Sequence, residues 1–67
     1  MNVVFGAGKF SHVHLKCLYE NQITQVTLVK KTLWTETQKK MFMQKHYMMD
    51  LIFEKDPNIT DNIIHIV

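Results

Sequence analysis

The chain has 67 residues, and its eight lysines, no arginine and six acids leave a net charge of +2, too small an excess for the dense basic stripe of a nucleic-acid binder. A domain this short buries only about 60% of the surface that its unfolded form exposes, so a single marginal core over 1–67 is expected. Cys17 is the only cysteine, which excludes an internal disulfide and points to a reducing, cytoplasmic setting; no apolar run reaches the roughly 18 residues of a membrane span, and no signal-peptide pattern is present.

Asn2–Phe5 (NVVF) is a short β-branched apolar run, the pattern of a strand buried on both faces, and it stops at Gly6. From Lys9 to Glu20 the apolar residues Phe10, Val13, Cys17 and Leu18 recur at helical spacing, with Leu15 and Tyr19 beside that stripe. Gln25–Val29 (QVTLV) returns to β-branched residues and predicts a second strand that breaks at Lys30 and Lys31. Thr35 stands three residues before Gln38, the spacing of a capping box, and opens a helix predicted over Glu36–Tyr47 with Met41, Phe42, Met48 and Met49 on its apolar side. Asp50–Glu54 (DLIFE) and Asn62–Val67 (NIIHIV) predict two further strands, separated by a segment that holds the only proline. The order is that of an α/β, Rossmann-like unit of two or three layers: a parallel sheet of about four strands with two main helices joined by right-handed crossovers.

Both glycines of the chain lie where the first strand gives way to the first helix, in GAGKFS. A helix N-terminus attracts anions through its unpaired amides and its dipole, so Gly6, Ala7, Gly8, Lys9, Phe10 and Ser11 are the candidate residues for holding a dinucleotide pyrophosphate. Gly6 would permit the tight turn and Gly8 the close backbone approach, while Ser11 in the third motif position would let the helix pack closely on the strand. The competing reading is a strand-to-helix turn that binds nothing. Where such units place an acid on the adenosine ribose, this chain has Lys30 and Lys31; cations there would favour the 2′-phosphate of NADP over NAD, and two solvated lysines at a strand end are the alternative.

VVFGAGKFSHVHLKCL, with its His14-Leu15 pair, resembles the opening strand, glycine turn and helix of the Gfo/Idh/MocA (glucose-fructose oxidoreductase, inositol dehydrogenase and MocA) group of NAD(P)-dependent oxidoreductases, and NIIHIV resembles that family's fourth strand. The resemblance implies NAD or NADP as cofactor. It also implies a truncated unit, because the family's lysine-proline motif and sugar-binding domain have no counterpart here, and no catalytic residue can be assigned. With seven residues from Lys55 to Asp61 in place of a third helix, two helices on one side would leave the other face bare around Val3 or Val4, Phe5, Leu28, Ile52 and Ile64. Its expected cover is a second copy, making a homodimer or higher oligomer, or the missing remainder of a longer chain. A remnant kept for self-association, binding no cofactor, is the alternative function.

Other constellations are weaker. His12, His14 and Cys17 form an H-x-H-x-x-C pattern, with His46 and His65 elsewhere in the chain, but residues two apart on a helix point about 200° apart, so His12 and His14 do not easily share one ion, and His14 with Cys17 supplies two of the four ligands of a structural zinc site. Cys17, on the apolar stripe, is expected in the core rather than as a nucleophile. Of Met41, Met43, Met48 and Met49, Met43 is the expected exposed one. The lysines interleaved with Trp34, Phe42 and Tyr47 are blunted as a nucleic-acid surface by Glu36 and Asp50.

Overall fold

Asn2–Phe5 forms β1, and the chain then alternates through α1 (Lys9–Glu20), β2 (Gln25–Lys30), α2 (Glu36–Lys45), β3 (Asp50–Lys55) and β4 (Ile64–Ile66). The computed structural model describes residues 2–58 and the backbone of 64–66. The sheet order is β3-β2-β1-β4, with β1, β2 and β3 parallel and β4 antiparallel to β1. The expectation of about four parallel strands is therefore corrected to three, with a reversed edge strand that pairs His65 with Val3.

Connection length explains the reversal. Eight residues, 56–63, join β3 to β4. They need to cross three inter-strand spacings, roughly 14 Å, which is well inside the roughly 27 Å reach of eight extended residues. A parallel β4 would also require a return along the full strand length, for which a crossover of about a dozen residues or more is usual.

The two parallel crossovers put both helices on one face of the sheet, giving two layers. Alternation along the strands sorts the side chains: Val4, Val26, Leu28, Leu51 and Phe53 meet the helices, in register through Val4↔Leu28↔Phe53 and Val26↔Leu51. Val3, Phe5, Thr27 and Ile52 fall on the other face. Val4 and Leu28 are thus core residues, both fully buried, and not part of the bare face; Ile52 is, at 57% exposure. The Ile64 side chain lies outside the described residues.

In α1 the inward stripe is Ser11, Leu15 and Leu18; Leu18 faces inward as the sequence predicts, but the other three members of the expected stripe do not. Phe10, Val13 and Cys17 face outward, at 68% and 59% exposure for the first two and with Cys17 an exposed free thiol. Two apolar stripes about 100° apart run along this helix, and the glycine turn selects the inner one: the Ser11 hydroxyl donates to the Gly6 carbonyl at 3.0 Å, and only a small side chain fits so close to the strand. The helix closes with Gln22 at φ 66, its amide donating to Tyr19 and that of Ile23 to Leu18 at 2.9 Å each, the hydrogen-bond pair of a Schellman motif.

The capping box of α2 forms as the spacing predicts: Thr35 Oγ1 accepts from the Gln38 amide and Gln38 Oε1 from the Thr35 amide, both at 3.1 Å. The helix ends at Lys45, two residues short of the predicted Tyr47, with His46 as its C-cap. Only Phe42 of this helix is buried. Its ring meets Trp34 edge-on at 5.5 Å and Phe53 at 6.3 Å, while Trp34 Nε1 donates to the Glu54 carbonyl at 2.8 Å. Met49 joins this core, whereas Met41 and Met48, expected to fill gaps, are exposed along with Met43. No helix among the described residues is long and apolar enough to cross a membrane.

Candidate functional site

The turn after β1 begins with Gly6 at φ 96, a backbone conformation that L side chains resist. Its amide donates to the Val29 carbonyl at 2.7 Å, which ties the C-terminal ends of β1 and β2 together. Ala7 packs against the core cluster. Gly8 is the N-cap of α1 and supplies no side chain to cap it; the first turn carries no acidic residue. The Ser11 amide is taken by the Gly8 carbonyl at 3.0 Å, and the amides of Lys9 and Phe10 have no partner among the described residues. A Cβ placed on Gly8 would meet nothing within 4 Å, so the space above the turn is open. Lys9 and Phe10 are exposed beside it, with the Lys9 ammonium 5.5 Å from the Phe10 ring centre.

Lys30 and Lys31 part company at the end of β2. Lys30 is buried, donates to Gln38 Oε1 and lies 4.9 Å from the Trp34 ring centre, so its ammonium is engaged within the α2 layer. Lys31 is exposed. Of the two lysines at the end of β2, Lys31 is thus exposed, while Lys30 is engaged with Gln38 and Trp34.

The structure also brings together a pair that sequence spacing did not suggest. His12, read with His14 and Cys17 as a conceivable ligand run, instead meets His46 from the C-cap of α2, Nδ1 to Nε2, at 2.9 Å. Its ring stacks on Phe42 at 4.2 Å and on His46 at 5.1 Å. Burial, reinforced by the Lys45 charge, holds the His12 imidazolium below its ordinary range. Burial likewise lowers His46, with His12 and then Lys45 adding to the effect. The two rings are 34 positions apart in the chain, so only the crossover geometry reveals them. Among the described residues no three His, Cys, Asp or Glu side chains gather as a metal site.

Beside this pair a groove of about 600 Å³ runs between α1 and the segment after α2. Val13, Tyr19, Tyr47, Met48 and Met49 form its apolar lining, and Lys16 and Lys45 stand in its walls. A smaller hollow of about 300 Å³ lies on the sheet face turned away from the helices, over Val3, Phe5, Thr27 and Val29.

Comparison of the chain with protein-family models, with curated proteins and with solved structures gives no match. The α/β fold, with its small three-strand parallel sheet and two helices, is the class these observations define.

Proposed function

We propose that the chain is a Rossmann-like nucleotide-binding module whose Gly6–Ser11 turn holds a phosphate of NAD or NADP. The supporting observation is the turn itself: Gly6 at positive φ delivers the chain into a helix whose N-terminus has no side-chain cap and whose Lys9 and Phe10 amides have no partner among the described residues, with open space above Gly8. Such an N-terminus is complementary to an anion. Exposed Lys31 favours the extra phosphate of NADP through charge attraction. The reading agrees with the likeness of VVFGAGKFSHVHLKCL to the Gfo/Idh/MocA oxidoreductases and assigns no proton-transfer residue. A free, exposed thiol at Cys17 fits a reducing, cytoplasmic compartment.

Titration of the chain with NADPH and NADH, followed by Trp34 fluorescence and calorimetry, tests it. Saturable binding that disappears in Gly8→Asp supports the reading. Absence of binding at millimolar cofactor overturns it. Gly8→Asp suits the purpose because its side chain enters open space and caps the helix, so the fold is kept while the anion site receives a carboxylate.

A second reading, self-association without a cofactor, draws on the sheet face turned away from both helices, where Ile52 is 57% exposed and Val3 and Phe5 are half-buried. Sedimentation across a hundredfold dilution separates it: a stable folded monomer throughout removes this reading.

A further inference from the structure

The groove between α1 and the segment after α2 combines features that the phosphate turn does not use. None of the described residues that line it is acidic, while Lys16, Lys45, His12 and His46 are all basic, and the others are Val, Met and Tyr. Its volume of about 600 Å³ falls within the roughly 300–1,000 Å³ of small-molecule sites. We infer that this groove is a binding site for a small amphipathic monocarboxylate, an aromatic or acyl acid whose apolar body lies on Val13, Met48 and Met49 and whose carboxylate meets the Lys16, Lys45 and histidine side.

The chemistry of the histidine pair adds a proton to the binding event. With both rings neutral, one of the facing nitrogens, His12 Nδ1 or His46 Nε2, must donate to the other. The two outer nitrogens, His12 Nε2 and His46 Nδ1, are then one donor and one bare acceptor. One added proton makes both outer nitrogens donors and gives the pair a single positive charge. Lys45 is the charge that resists protonation of the pair; Phe42 stacks on it without charge, and Lys16, Tyr19 and Tyr47 line the groove beside it. A carboxylate in the groove offsets the lysines, so it binds together with a proton and binds more tightly as the pH falls towards 6.

The experiment uses the full chain and three probes of one shape: 2-naphthoate, 2-naphthalenemethanol and 2-naphthylmethylammonium. Amide shifts in a two-dimensional NMR titration locate each probe, and imidazole proton shifts follow the pair. The expected result is 2-naphthoate shifting Val13, Lys16 and Lys45–Met48, with affinity about threefold to tenfold above the neutral alcohol, the scale of one or two partly screened charge contacts. The ammonium probe should bind weakest, the histidine titration should move upward on loading, and naphthoate affinity should rise between pH 7.5 and 6. Lys16→Gln with Lys45→Gln, both exposed positions, should erase the preference for the acid and leave alcohol binding unchanged. Equal affinity for acid and alcohol, shifts that map to the sheet face turned away from the helices, or no shift at millimolar naphthoate would each overturn the inference. Because no residue of the Gly6–Ser11 turn lines the groove, failure here leaves the NADPH test undisturbed.

Discussion

Exchanging Leu15 and Val13 for alanine tests which stripe of α1 faces the sheet. Leu15 is fully buried and Val13 is 59% exposed, although both belong to apolar helical patterns. Leu15→Ala removes three carbons, about 2.4 kcal/mol at roughly 0.8 per methylene, and the unfilled space raises the cost to about 3 kcal/mol. A 67-residue domain at roughly 0.05–0.15 kcal/mol per residue has only about 3–10 kcal/mol to lose. Leu15→Ala therefore removes a third or more of the stability. Val13→Ala removes hydrated carbons and gains helix propensity, so its effect should stay within about 0.5 kcal/mol. Urea unfolding at fixed protein concentration, read by far-ultraviolet ellipticity and Trp34 fluorescence, measures both; Leu15→Val, at about 1–2 kcal/mol, keeps the series readable if the alanine variant is unfolded at the outset. Equal losses at positions 13 and 15 would refute the inner stripe and restore the Phe10, Val13, Cys17 face as the core.

The folded chain should lose stability as the pH falls from about 6.5 towards 5, because His12 and His46 are held below the ordinary imidazole range and the unfolded chain then binds protons that the fold resists. The difference in unfolding free energy between the wild type and His46→Gln, measured across that range, should narrow with acidity; a constant difference would remove the pair as its cause. Cys17 should react with a chromogenic disulfide reagent in the native state at a rate close to that of the urea-unfolded chain, since the thiol is exposed; strong native protection would contradict its placement. Gln22→Gly should stabilise by about 0.5–1 kcal/mol by relieving a side chain from positive φ, and Gly6→Ala should destabilise by about 1–2 kcal/mol for the same reason. Thermal melts check both signs.

Local chemistry made much of this molecule legible. NVVF, the glycine turn, α1 from Lys9 to Glu20, and the Thr35–Gln38 capping box all depend on neighbours within a few residues, and the structure has each of them where the sequence places it. Spacing along a helix fixes how far apart apolar residues recur, but not which of two stripes faces inward. In α1 that choice rests on the close approach of Ser11 to Gly6, a contact with the preceding strand. The direction of β4 likewise followed from distance across the sheet, which only the strand order reveals. Lys30 read as a strand-end cation until Trp34 and Gln38 enclosed it, and His12 found His46 rather than its neighbours in sequence because two crossovers lay their helices on the same face. Sequence alone determined the elements and the turn, where the physics is local; tertiary structure decided phase, strand direction and the histidine pair, because those depend on surfaces that meet only after the chain has folded.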